Sequence, residues 1–366
     1  MLSQSRRLRQ TPFTPGVENA GVTAYTVYNR MLLPTLFRDI ETDYRHLKTY
    51  VQVWDVSCQR SVEIVGPDAA SLIQKLTPRN LQKMQDDQCY YVPIVDENAG
   101  MLNDPVAIKH SQDRWWLSIA DSDLLLWVKG LALGAKLDVQ VFEPDVSPLA
   151  VQGPKAEELM VRVFGEAVCD IRFFRYQRLA FEQMSFVVAR SGYSKQGGFE
   201  IYVEGGEHAM GVWNRLFGAG ADLNVRAGCP NLIERIEAGL LSYGNDMTME
   251  NSPLECGLGK YCAGPDDTIE CIGQHALETE RANGPSRQIR PISIQGDPVP
   301  PLHAAWDLLK DGIKVGQVSS AAWSPDFSTN VAIGMVDAEH WHAGTILEVR
   351  TPTGDRRAEV RSSFWL

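Results

Sequence analysis

One short pattern occurs twice in this chain, and it limits the folds available. Ser61-Val62-Glu63-Ile64-Val65-Gly66-Pro67 runs into Asp68-Ala69-Ala70-Ser71-Leu72-Ile73, and Pro148-Leu149-Ala150-Val151-Gln152-Gly153-Pro154 runs into Lys155-Ala156-Glu157-Glu158-Leu159-Met160. In each copy an apolar strand meets a Gly-Pro turn, and a helix begins beyond it. Two copies predict two related α/β halves. Strands at 115–119 and 186–189 and helices at 210–216 and 231–241 fill these halves, giving an α+β architecture of mixed or antiparallel sheets with helices on one side.

At 366 residues the chain exceeds what one hydrophobic core organises. Three domains are expected, at 1–145, 146–284 and 285–366, with N-terminal segments crossing between them. After Gly284-Pro285, short apolar pieces at 292–294, 316–320, 330–336, 345–349 and 358–361 are separated by Gly, Pro, Asp and Ser. That texture predicts a mostly β domain, and its aromatic end, Phe364-Trp365-Leu366, is expected to dock.

Composition excludes several classes of function. A net charge of −11 gives no footprint for a nucleic-acid backbone, and the basic cluster Arg6-Arg7-Leu8-Arg9 is short and placed at an expectedly mobile terminus. No apolar run is long enough to span a membrane, and no apolar stretch follows the first arginines as in a secretory signal. The 7 cysteines are odd in number and form no CxxC pair, which fits a reducing, cytoplasmic setting. Cys256 and Cys262 lack partners at metal-ligand spacing, and His340-Trp341-His342 is an incomplete set, so no metal is expected. Neither a G-x-G-x-x-G after a strand nor a G-x-x-x-x-G-K-[ST] occurs.

Three polar stretches carry candidate chemistry. Across 233–246, Ile233, Ile236, Leu240 and Leu241 recur at helical spacing, Gly239 marks a stop, and Arg235 and Glu237 lie off the apolar stripe. An amphipathic helix with a solvated face explains that pattern; a binding role for Arg235, with Tyr243 and Asp246 near the helix end, is the alternative. Upstream, Arg190-Ser191-Gly192-Tyr193-Ser194-Lys195-Gln196-Gly197-Gly198 makes a glycine-rich turn into an alternating strand, with Glu200 near its start. Residues 88–105 read as a hairpin with Tyr91 and Val95 on one strand, Asp96-Glu97-Asn98-Ala99-Gly100 in the turn and Met101 beginning the return toward Asp104. Asp104 either starts a turn before Pro105 or is a ligand group, whose charge then needs partners because desolvation is costly.

Together these stretches resemble a known family. Val53-Trp54-Asp55-Val56-Ser57, the turn at Gly66, the 91–104 hairpin, Ser191-Gly192-Tyr193 with Gly198-Phe199-Glu200-Ile201, and Arg235-Ile236-Glu237-Ala238-Gly239 with Tyr243-Gly244-Asn245-Asp246 are similar to the folate-dependent aminomethyltransferases, which include the T-protein of glycine cleavage. Val315-Gly316-Gln317-Val318-Ser319-Ser320 and Val331-Ala332-Ile333-Gly334 resemble that family's last domain, so the likeness spans essentially the whole chain. Three departures are informative, one being that the asparagine usual after the next strand is not evident around Ala120-Asp121. Ser194-Lys195-Gln196-Gly197 stands where T-proteins carry Thr-Gly-Glu-Asp, and Asn103-Asp104 stands where they carry a paired acidic dipeptide. These features, with Tyr25-Thr26-Val27-Tyr28-Asn29 and Glu143-Pro144-Asp145-Val146-Ser147, resemble the branch of the family that demethylates dimethylsulfoniopropionate.

The resemblance implies three domains in a cloverleaf around a folate-sized hole, the last of them β-barrel-like. It implies tetrahydrofolate as the methyl-accepting cosubstrate, without metal or flavin. Asp104 would face the reactive end of the folate as the catalytic residue, Glu200 would hydrogen-bond the pterin, and Tyr91, Tyr193 and Tyr243 would line the pocket. Arg235 would position nearby polar groups, and Lys195 or a tyrosine hydroxyl would meet the carboxylate of the donor. The implied reaction is S-demethylation of dimethylsulfoniopropionate to 3-(methylthio)propionate and 5-methyltetrahydrofolate. The alternatives are a T-protein or another folate-dependent methyl or aminomethyl transferase, and a folate-binding helper of RNA modification. The expected partners are the sulfonium substrate and the folate, with a homodimer as the one macromolecular assembly the reading admits and with no nucleic acid or membrane.

Overall fold

Both copies of the Gly-Pro pattern fold alike. Strand Ser61–Val65 passes through Gly66 to helix Ala69–Leu76, and strand Val146–Gln152 passes through Gly153 to helix Ala156–Phe164. Gly66 (φ +143°) and Gly153 (φ +122°) hold backbone conformations that L side chains rarely adopt, and a Cβ at either would stand 2.4 Å from a carbonyl oxygen, of Asp138 or of Tyr50. The same steric demand thus fixes the same residue in both copies.

The computed structural model describes residues 5–264 and 267–366. Two units divide the chain. One is built from Met1–Ile73, Gln82–Tyr91 and Pro105–Asn231, the other from Gln74–Leu81, Val92–Asp104 and Leu232–Leu366. The architecture is the expected α+β, and no helix among the described residues is long and apolar enough to cross a membrane.

The first unit holds two sheets. A five-stranded antiparallel sheet runs, neighbour to neighbour, Gln140–Phe142, Ser61–Val65, Arg114–Ser118, Val106–Ser111 and Cys89–Tyr91. A six-stranded sheet runs Tyr176–Phe181, Met184–Ala189, Gly198–Glu204, Val146–Gln152, Gln52–Asp55 and Arg226–Gly228, the last two parallel. Because side chains alternate along a strand, the six-stranded sheet has two buried faces. Leu149, Val151, Phe199 and Ile201 share a core with Leu159 and Met160 of helix Ala156–Phe164 and with Val212 and Leu216 of helix Ala209–Ala219. Val187, Ala189 and Tyr202 pack with Cys89, Ile108 and Trp116 of the five-stranded sheet. Arg9, expected on a mobile terminus, is held to this unit by Glu143 at 2.8 Å.

The predicted hairpin forms, with a break in each arm. Tyr91 pairs opposite Val106, and farther toward the turn Ile94 pairs opposite Asn103. Between these ladders stand Val92-Pro93 and Asp104-Pro105; proline has no N–H to give a ladder, so pairing lapses there. At the tip Asp96 Oδ1 accepts the backbone N–H groups of Asn98 at 2.9 Å and Gly100 at 2.8 Å.

The second unit closes Arg287–Ile294, Thr329–Asp337, Ile313–Ser324, Trp306–Lys310, Ile346–Thr351 and Gly354–Val360 into a six-stranded barrel around Ile292, Leu308, Val318, Ala332 and Val349. Helix Leu232–Ala238 packs on two of these strands, Ile313–Ser324 and Thr329–Asp337. Its end is a Schellman motif: Gly239 (φ +67°) donates to the Ile236 carbonyl at 3.1 Å and Leu240 to the Arg235 carbonyl at 2.8 Å. The helix therefore stops before Leu240 and Leu241, which the apolar spacing had included. Its expected solvated face is absent, since Glu234, Arg235 and Glu237 are as buried as Ile233 and Ile236. The aromatic end is docked as expected, with Trp365 and Leu366 donating their N–H groups to the Glu237 carbonyl at 2.8 and 3.0 Å.

Candidate functional site

Glu200 stands on the inner face of the six-stranded sheet between two alanines, Ala150 on one neighbouring strand and Ala189 on the other. Directly opposite residues share a face, so these small side chains leave room beside the carboxylate. One step farther across the sheet Trp54 lies opposite Ala150, and Trp54, Leu47 and Val56 form an apolar patch against which half-buried Tyr193 packs. The Ser191 hydroxyl donates to Glu200 Oε2. Burial pushes the Glu200 carboxyl above its usual range, with the Ser191 hydrogen bond as the counterweight.

The turn carrying Tyr193 is tied down by Gln152 and by the Gly153 N–H, which donates to the Gly197 carbonyl at 3.0 Å. Gln152 Nε2 donates to the Ser191 carbonyl at 3.2 Å, and Gln152 Oε1 accepts from the Ser194 hydroxyl at 2.8 Å. Lys195 is exposed on this turn. Sequence reasoning missed Tyr202, fully buried two residues beyond Glu200 and therefore on the same face. Burial first, then the Coulombic influence of Glu200 and Cys89, pushes its hydroxyl well above the usual value. The alternation of strand Gly198–Glu204 was the signal that could have found it.

The second unit assembles a different constellation. Arg235 Nη1 pairs with Asp246 Oδ2 at 2.8 Å, and Arg235 Nη2 donates to the Ser320 hydroxyl at 2.6 Å. Asp246 Oδ2 also accepts the Ser242 N–H at 2.9 Å. The Tyr243 hydroxyl donates to the Met101 carbonyl at 2.9 Å, on the strand Met101–Asn103 that ends one residue before half-buried Asp104. Of the sequence-predicted residues, this unit holds Asp104, Arg235 and Tyr243; the first holds Tyr91, Tyr193, Lys195 and Glu200.

A buried carboxylate beside aromatic walls suits a planar ring with N–H donors, and a guanidinium held by its own carboxylate is a donor fork of fixed direction. Known proteins share this build. Residues 15–264 match the model of the GCVT N-terminal domain, and residues 287–365 match that of the glycine cleavage T-protein C-terminal barrel domain. The chain is 63% identical over 361 residues to dimethylsulfoniopropionate demethylase DmdA of Ruegeria pomeroyi, covering 99% of this chain and 98% of the relative. It is 28% identical over 324 residues to an aminomethyltransferase of Caldanaerobacter subterraneus, covering 87% and 85% of the two chains. The fold matches the crystal structure of the glycine cleavage system aminomethyltransferase T from Bartonella henselae with a TM-score of 0.88 at 22% identity, over 98% of each chain. With both family models matched and the barrel closed as they require, the chain belongs to the glycine cleavage T-protein family of aminomethyltransferases.

Proposed function

We propose that this enzyme is a tetrahydrofolate-dependent demethylase, moving a methyl group from dimethylsulfoniopropionate to N5 of tetrahydrofolate. The observation that carries the reading is the 63% identity to the Ruegeria pomeroyi demethylase along nearly all of both chains, against 28% to the aminomethyltransferase of Caldanaerobacter subterraneus. Glu200 fits the folate: a carboxylate buried against Ser191 is an acceptor for the N–H edge of a pterin. Tetrahydrofolate supplies the N5 lone pair that takes the methyl group as the carbon–sulfur pair leaves with sulfur, and the N5 proton is released.

The protein's own work is then alignment and exclusion of water. Glu200 holds the pterin, with Tyr193 along its plane. Tyr91 and Tyr243 complete the walls, Arg235 orients polar groups, and Asp104 sets the alignment at N5. Lys195, exposed on its turn, is assigned to the carboxylate of the donor. Segments 1–145, 146–284 and 285–366 serve as the three domains, in a cytoplasmic protein that works alone or as a homodimer.

The test is a donor panel. Purified protein given tetrahydrofolate and dimethylsulfoniopropionate should form 5-methyltetrahydrofolate and 3-(methylthio)propionate in equal amounts by mass spectrometry. Formation of 5,10-methylenetetrahydrofolate from an aminomethyl-lipoyl carrier, with no turnover of the sulfonium, would reject the proposal. In Asp104→Asn the transfer rate at saturating folate and donor should fall about 10²-fold, on the order expected when alignment at the reacting atom is lost.

A further inference from the structure

The barrel strand beside Arg235 contains an irregularity whose chemistry the folate reading leaves unused. Along strand Ile313–Ser324, Val318 pairs opposite Gly334 and Ser320 opposite Ile333, so Ser319 is an extra residue in the ladder. In a regular strand Ser319 and Ser320 would point to opposite faces; a bulge releases them from that alternation. Here both hydroxyls donate to one oxygen, Asp246 Oδ1, each at 2.6 Å. Ser319 has a second acceptor in reach, the Ile333 carbonyl at 3.3 Å, but a hydroxyl has one proton and the shorter contact is to the carboxylate.

The result is an interlocked set, which Arg235 Nη1 also ties to the Leu240 carbonyl at 3.2 Å. Asp246 Oδ1 takes the two serines, Asp246 Oδ2 takes Arg235 Nη1 and the Ser242 N–H, and the Ser320 oxygen takes Arg235 Nη2. Arg235 and Asp246 are only 7% and 5% exposed, so the bonds that join Arg235, Asp246 and Ser320 form where water cannot replace them. Four residues farther along the same strand, Ser324 donates to Glu237 Oε1 at 2.6 Å and fixes the last turn of the helix. A guanidinium beside a lone carboxylate can turn about the axis of the pair; a second nitrogen bonded to Ser320, itself bonded to the same carboxylate, removes that freedom.

We propose that Asp246 and Ser320 are positioning residues for Arg235, and that the bulge at Ser319 exists to aim the barrel's serines at them. Through this seat the barrel sets the direction of the guanidinium, and so controls rate rather than donor recognition. The inference rests on the role given to Arg235 in the proposed demethylation.

Two readouts test it on the full-length protein. The first needs no ligand: the Arg235 Nη resonances, identified by their absence in Arg235→Lys, should show slow rotation in the wild type and averaging in Ser320→Ala. The second is steady-state kinetics. Ser320→Ala should lower kcat about tenfold with KM for the sulfonium donor within twofold, and Ser320→Thr, which keeps the hydroxyl, should restore most of the rate. Asp246→Asn, assayed below its unfolding midpoint, should show the same split if the residue positions and does not merely stabilise. Freely averaging Nη signals in the wild type would overturn the proposal, as would a folded Ser320→Ala with wild-type kcat. A wild type with ordered Nη signals and no methyl transfer would remove the demethylase reading while supporting the seat itself.

Discussion

The seat of Glu200 in the six-stranded sheet and the seat of Asp246 beside the barrel bury carboxylates in different company. In the six-stranded sheet Asp55 receives the Thr11 hydroxyl and the Ser57 N–H, and Glu200 receives the Ser191 hydroxyl. Burial raises both above the usual carboxylate range, with those hydrogen bonds pulling back. In the barrel unit Asp246 and Glu255 hold guanidinium groups, Arg235 at 2.8 Å and Arg287 at 2.9 Å. A carboxylate held by hydroxyls keeps acceptor strength for an incoming N–H group, whereas an ion-paired one is committed to the scaffold. The contrast assigns ligand capture to the first arrangement and geometry to the second.

The largest expected effect comes from breaking the scaffold pair. Arg235→Met leaves Asp246 buried without its cation and should cost about 3–5 kcal/mol in urea unfolding, while Arg235→Met/Asp246→Leu should recover most of it. An equal loss in the single and double variants would place the pair's contribution elsewhere. Next is Glu200→Gln, where loss of a hydrogen bond to a charged group should weaken tetrahydrofolate binding by about 10–100-fold in a direct titration.

The same variant should stabilise the ligand-free protein at neutral pH. Because the folded pKa of Glu200 is raised, its contribution is whole below the ordinary value of 4.5 and is lost as pH rises through the folded value. Glutamine does not titrate, so its advantage in thermal melts should appear above pH 4.5 and vanish below it. A Glu200→Gln protein less stable than wild type at pH 7 would break the contrast.

A smaller effect tests whether acid acts on one unit alone. Burial, then the nearby Arg226, lowers the His46 pKa from 6.5 to about 4. Stability from a depressed histidine is present above pH 6.5 and is lost as pH falls toward about 4. Hydrogen exchange should therefore quicken in the six-stranded sheet before the barrel over that range, and His46→Gln should flatten the response. Smallest is Tyr91→Phe, expected to change kcat by about threefold or less if the ring matters as a wall more than its hydroxyl does. A larger drop would move Tyr91 from the wall into the chemistry.

Local punctuation was legible in the sequence, and distant partnership was not. Gly66, Gly153 and Gly239 could be read because each answers a backbone demand made within a few residues. The hairpin was legible for the same reason, since Asp96 and Gly100 write their own turn. The burial of Glu234, Arg235 and Glu237 could not be read, because two of the groups that compensate them, Ser320 and Ser324, lie 85 and 87 residues away. Parallel pairing of Arg226–Gly228 with Gln52–Asp55 escaped notice because a strand of 3 residues carries no period. Glu200 stood out by its charge in an alternating strand, while Tyr202 two residues on looked like the core it is.

The docked aromatic end has a further consequence, for the order in which the molecule is made. The Phe364 ring occupies the space where a Cβ on Gly239 would fall, with its atoms 2.4–2.7 Å from that position, and the next two amides close on Glu237. The helix bearing Arg235 is synthesised well before Ser320, Ser324 or this clasp leaves the ribosome, and such long-range closures are slow. A nascent chain thus carries its arginine unaimed until the barrel strand bearing Ser320 and Ser324 has emerged, 85 and 87 residues after the groups they hold.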